Sequence, residues 1–193
     1  MDIVLNWTGP FSFTSEVERS LLQNPEGEHS GIYCWGVRTH GGLLPHYVGE
    51  TGSSFARRHV EHFEEYARGT YSTRDADAFT AGREIILFEG PLWKKEGWRL
   101  KQPFIDNFAE LSSQVAKTLD LIELYVAPLE AERRIRRRIE GAIVDVFYSL
   151  PEEHLGLFPL GLRVWRRQPS EAAIRVTNLE PPSILGFPDS FEA

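Results

Sequence analysis

Apolar and aromatic residues crowd two short runs early in the chain, 31–38 (GIYCWGVR) and 45–49 (PHYVG). Both are β-branched and aromatic, and both read as strands. His40-Gly41-Gly42 between them supplies residues that tolerate the backbone of a tight reversal. The pair therefore predicts a β-hairpin, with Pro45 at the start of the return strand, where a missing N–H is tolerated. Beyond Thr51-Gly52 the period lengthens. Ser53 or Ser54 caps a helix running to about Arg68 and closed by Gly69, with Ala56, Val60, Phe63 and Ala67 on one stripe. Residues 83–89 (REIILFE) read as a strand stopped by Gly90-Pro91, 103–118 as a helix, and 120–126 (DLIELYV) as a strand ending before Pro128. A helix over 130–148 carries Ala131, Ile135, Ile139, Ala142, Ile143 and Val146 at a 3.6-residue period.

The flanks are less regular. Residues 2–7 predict a short strand closed off by Gly9-Pro10, 14–23 a short helix, and 24–30 a loop. Residues 151–193 read as loop-rich, with one strand at 173–177. Taken together, this order predicts an α+β fold: a small central, mainly antiparallel sheet flanked by helices, with N- and C-terminal extensions. The expected division is 1–29 as an N-terminal extension, 30–150 as the functional domain, and 151–193 packing on that same domain.

Composition narrows the class. Apolar residues make up 41% of 193 residues, enough to bury a core, so wholesale disorder is not expected. No run of eighteen apolar residues predicts a membrane span, and the start of the chain lacks a signal-peptide pattern. Cys34 is the single cysteine, which rules out an intrachain disulfide and a cysteine-based zinc site. A cytoplasmic protein is expected. The formal net charge of −7 disfavours phosphate binding overall. The charge is uneven, however: residues 133–138 (RRIRRR) hold five Arg, and 163–175 hold four Arg against one Glu.

Several side chains are candidates for chemistry. Arg58 and His62 are four apart and share a helical stripe, whereas Arg57 pairs with Glu61 on another. Glu140 borders the apolar face of its helix, where a carboxylate is costly unless a cation partners it. That cation is either a metal or the guanidinium of Arg136 or Arg133. Tyr33 and Tyr47 either pack across the hairpin or serve a site mounted on it. The arginines of 133–138 form either a solvated helix face or a track for phosphates. Trp165, Arg166 and Arg167 are a further candidate contact.

Gly31-Ile32-Tyr33 followed by Tyr47-Val48-Gly49 resembles the paired motif of the GIY-YIG nuclease family, with Val in place of the second Ile. The resemblance spans about residues 30–149. It implies a hairpin bearing both motifs, a helix with an essential Arg, and a later helix with a metal-binding Glu. It also implies hydrolysis of DNA with one divalent ion, Mg²⁺ or Mn²⁺. On the resemblance, Tyr33 activates water and Tyr47 orients water or phosphate, roles that are interchangeable. Arg57 lies at the family's spacing from Tyr47, and Arg58 at its spacing from Phe55. Helical geometry favours Arg58 as the phosphate-holding residue, with His62 relaying a proton or holding phosphate. Glu140 is the expected metal ligand and Glu132 its backup. A phenol that deprotonates water needs its pKa lowered by nearby cations. Arg57, Arg133, Arg136, Arg137, Arg166 and Arg167 are the candidate nucleic-acid contacts. The expected partner is double-stranded or branched DNA, with a protein partner supplying specificity. The alternative is a non-catalytic or partner-dependent binding module that keeps the fold.

Overall fold

In the computed structural model, which describes residues 1–14, 19–92, 94–159 and 166–193, the hairpin forms one side of a four-stranded antiparallel sheet. Strand β3 (Gly31–Thr39) pairs along its length with β4 (Gly42–Thr51), and on its other side with β7 (Ile122–Pro128). The fourth strand is β2 (Thr8–Ser12), which flanks β7, so β4 and β2 are the edges. The fold is α+β, with antiparallel sheets flanked by helices.

β3 is buried on both faces because it is central, and its alternation sorts the core into two halves. Ile32 and Cys34 join Val48 and pack against Ile139, Ile143 and Phe147 of α5 (Arg133–Tyr148). Tyr33, Trp35 and Val37 face the other way, toward Phe55 and Tyr66 of α1 (Phe55–Ala67) and Leu119 of α4 (Phe108–Asp120). Helices on opposite faces thus flank the free edge formed by β4.

The strand expected over 2–7 forms, but Gly9-Pro10 lies inside a second strand. β1 (Asp2–Asn6) is followed directly by β2, with a bulge between Thr8 and Phe11. Pro10 is tolerated there because β2 lies at an edge and needs no N–H donor on its outer side. Residues 1–29 therefore contribute a strand to the central sheet. β1 pairs in parallel with β8 (Arg175–Leu179), and β9 (Ser190–Glu192) completes that second sheet. Phe158, Ile174, Val176 and Ile184 from the C-terminal segment enter the α5 side of the core.

Other expectations are revised. The helix expected over 103–118 is two, α3 (Gln102–Asp106) and α4. The break falls at Asn107, whose side-chain amide donates to Pro103 O at 2.9 Å and competes with helical bonding. The strand within 83–89 shrinks to β6 (Ile86–Phe88) and pairs with β5 (Thr73–Arg74), apart from the central sheet. Between them lies α2 (Ala76–Thr80), and α6 (Glu152–Leu155) follows α5. Of the helix expected over 14–23, residues 15–18 lie outside the described residues, and Leu21–Gln23 is a single 3-10 turn. No helix among the described residues is long and apolar enough to cross a membrane.

Candidate active site

Tyr33 lies opposite Gly49 in the β3–β4 register, and Tyr47 lies opposite Trp35. The Tyr33 ring leans across the space that Gly49 leaves. A Cβ on Gly49 would sit 2.4 Å from both Cζ and Oη of Tyr33. The Tyr33 and Tyr47 ring centroids are 6.0 Å apart, so both phenols serve one end of the hairpin.

α1 starts from a fixed point. Ser54 accepts from Arg57 N at 3.2 Å, and Phe55, fully buried, donates its N–H to His29 O at 2.8 Å. One turn on, Arg58 Nε donates to Tyr33 Oη at 3.2 Å, and its Nη1 donates to Glu61 at 3.0 Å. Another turn on, His62 Nε2 lies 2.9 Å from Tyr33 Oη, and its Nδ1 lies 2.8 Å from Tyr71 Oη. The tyrosine hydroxyl therefore meets the guanidinium and the imidazole together. Arg57 lies on the exposed side and pairs with Glu61 at 3.2 Å, so geometry separates the two arginines in favour of Arg58.

α5 brings the acidic group. A cleft of about 620 Å³ is lined by Tyr33, Tyr47, Glu50, Arg58, Arg137 and Glu140, among others. Arg133 and Arg136 line it too. Glu140 is not neutralised by Arg136 or Arg133, because both are engaged elsewhere. Arg133, Arg136 and Arg137 converge through Nε on the Glu50 carboxylate, at 3.4, 3.0 and 3.4 Å. Arg136 also donates to Ala131 O and passes over Gly52, where a Cβ would lie 2.6 Å from Nη2. The Glu140 carboxylate forms no hydrogen bond or ion pair with another described residue. Burial, then the charge of Glu50, pushes its pKa up to about 7, against the pull of Arg137 and Arg58.

No family model, no curated protein and no solved structure matches this chain. The site therefore rests on its own geometry.

Other expected groups sit elsewhere. Glu132 is the exposed N-cap of α5 and does not line the cleft. Arg166 pairs with Asp145 at 2.9 Å, and Arg167 with Glu192 at 2.7 Å, beside a separate cavity that includes Val146 and Ala193. Trp165 lies outside the described residues. The arginine run divides: Arg134 binds Glu171, and buried Arg138 donates to Ala172 O and Ala193 O. The phenol expectation is also revised. Burial raises the Tyr33 pKa well above its usual value and Tyr47 adds to the rise, with Arg58 only partly opposing them. Tyr47 is raised too, by burial and then by Glu140. His62 is pushed down to about 2 by burial, then by Arg58 and His59, so it is a neutral imidazole.

Sequence reasoning did not single out Glu50 or Tyr71. Glu50 had a signal, a carboxylate directly after the second motif in a chain with a concentrated arginine run. Tyr71 had none, because only the fold carries the loop after α1 back to His62.

Two carboxylates in an arginine-rich cleft can hold a cation and an anion side by side. Among the described residues no group of three or more His, Cys, Asp or Glu side chains is arranged for a metal. Mg²⁺, which keeps several waters and takes one or two carboxylates, fits that limit. A half-buried carboxylate with no hydrogen bond or ion pair to another described residue is the group such an ion would satisfy.

Proposed function

We propose that this protein is a divalent-metal-dependent endonuclease of the GIY-YIG type, hydrolysing DNA phosphodiester bonds. The observation that carries this reading is that Tyr33, Tyr47, Arg58 and Glu140 line one cleft, although they come from two strands and two helices on opposite faces of the sheet. Glu140 would hold one Mg²⁺ or Mn²⁺, and a bound ion supplies Lewis acidity toward a phosphoryl oxygen. Arg58, permanently charged and anchored by Tyr33 and Glu61, holds the phosphate. Tyr33 receives the attacking water, and Tyr47 orients water or phosphate. Arg133, Arg136 and Arg137, which line the same cleft, would meet neighbouring phosphates. Double-stranded or branched DNA is the substrate, a partner protein supplies specificity, and the reduced, buried Cys34 suits the cytoplasm.

One observation favours a second reading, a partner-dependent binding module. Glu50 occupies the same three arginines that would follow a DNA backbone. The two readings part in one experiment. Plasmid, single-stranded DNA, branched duplex and RNA are incubated with protein and Mg²⁺. Cleavage is expected on DNA. Glu140→Gln and Arg58→Ala are expected to lose about 100-fold or more in rate, and Arg57→Ala to keep it within a few-fold. Full activity in Glu140→Gln would overturn the assignment. Salt-sensitive binding without cleavage would select the binding module.

A further inference from the structure

To take a proton from water, a phenol must first shed its own. Arg58 Nε is only a donor, so the Tyr33 oxygen accepts from it at 3.2 Å. The Tyr33 proton can then point at His62 Nε2, 2.9 Å away, with the Tyr47 hydroxyl as its other neighbour. A neutral imidazole has one accepting and one donating nitrogen. If Nε2 accepts, Nδ1 carries the proton and donates it to Tyr71 Oη at 2.8 Å. Tyr71 is partly exposed and belongs to the loop after α1, away from the lining of the cleft.

We propose that Tyr33, His62 and Tyr71 form a proton wire, with Tyr71 as its outlet to solvent. The inference rests on the reading of Tyr33 as the group that activates water. In one discharge the Tyr33 O–H bond breaks as Nε2–H forms. The Nδ1–H bond breaks as that proton joins the Tyr71 oxygen, and the original Tyr71 hydroxyl proton passes to surface water or a buffer base. One proton has left the cleft. Tyr33 is a phenolate beside Arg58, and His62 is neutral with its proton moved from Nδ1 to Nε2. Reversal resets the site.

The neutral imidazole is what makes the wire fit. With its pKa held at about 2, His62 does not accumulate as imidazolium, so a stepwise route through a charged histidine is disfavoured. Passage through the neutral ring needs no such charge. Tyr71 is itself held neutral, its pKa raised by burial and then by Tyr47. It thus returns as a phenol after each transfer. Tyr71 acts through His62 and is a positioning and relay residue for Tyr33.

The test has two arms on the full chain. In the first, long-range ¹H–¹⁵N NMR spectra of histidine-labelled protein give the His62 tautomer. The proton is expected on Nδ1 at rest, with the ring neutral at pH 6. A resting Nε2–H tautomer, or an imidazolium at pH 6, would overturn the wire, because the Tyr33 proton would then have no acceptor at His62. The second arm measures single-turnover DNA cleavage in Mg²⁺. Tyr71→Phe removes only the hydroxyl and keeps the ring edge-on to Tyr66, 4.8 Å between centroids. The rate is expected to fall at least tenfold, DNA affinity to stay within twofold, and the slowing in D₂O to shrink. Tyr66→Phe is the folding control and is expected to cut normally. A Tyr71→Phe protein that cuts at the native rate would overturn the proposal. Failure of the native protein to cut any DNA would instead tell against the nuclease reading, while the tautomer still decides whether the hydrogen-bonded chain is arranged as described.

Discussion

At the scale of single residues the site depends on what is missing from Gly49 as much as on what Tyr33 carries. A methyl group at Gly49 has no room unless the Tyr33 ring moves. Gly49→Ala is therefore expected to destabilise the protein by about 1–3 kcal/mol, read by urea unfolding, and to displace the phenol from Arg58 and His62. Four of the cleft groups, Tyr33, Tyr47, Arg58 and Glu140, were expected from the resemblance to the paired motif, and the structure brings them into one cleft. Helical geometry, together with the resemblance, favoured Arg58 over Arg57, since only Arg58 shares a stripe with His62. Glu50 showed only as a carboxylate beside the second motif, its arginine partners lying on a distant helix, and Tyr71 was not legible, because only the fold turns the loop after α1 back onto His62. The ionisation of the phenol was not legible either. Arg58 beside Tyr33 could be inferred, but the burial that outweighs it could not.

At the scale of elements, α1 was found at the right place with the wrong face inward. The apolar stripe Ala56, Val60, Phe63 and Ala67 suggested the buried side, yet Val60 and Phe63 are exposed. Phe55, His59, His62 and Tyr66, one position round the helix, face the core. Hydropathy counts imidazole as polar, whereas a neutral ring packs well. His59 lies 4.2 Å from the Phe13 ring, centroid to centroid. Val60→Lys is accordingly expected to change stability by less than about 0.5 kcal/mol, as surface substitutions do. His59→Lys is expected to cost several times more, because it buries a charge without a partner. Thermal unfolding of the two variants checks the assignment. The hairpin and α5 were legible because strong periodicity and turn chemistry agree there. β2, β5 and β9 were not, since strands this short draw their stability from pairing with distant partners.

At the scale of the whole molecule, three buried imidazoles set an acid limit. Burial is the leading cause of the lowered pKa values of His46, His59 and His62, at about 3, 4 and 2. In the unfolded chain each titrates near 6.5. Their contribution is complete above that pH and drains as pH falls toward the folded values, because the unfolded state takes up the protons. Glu140 acts in the opposite sense, binding a proton in the folded state from about pH 7 downward. The unfolded state then holds an excess of up to two protons, a slope of roughly 3 kcal/mol per pH unit. The thermal midpoint is expected to drop steeply between pH 6 and 4.5. A flat profile would contradict the burial of uncharged rings. The pairing of β1 with β8 has a separate implication for synthesis. Trp7 donates to Asn178 across a separation of 171 residues, so on the ribosome β1 stays uncovered until β8 has been made. A fragment trimmed to the motif-bearing stretch would leave one side of α5 stripped of its cover, so the cleft residue on that helix does not sit on a detachable cassette.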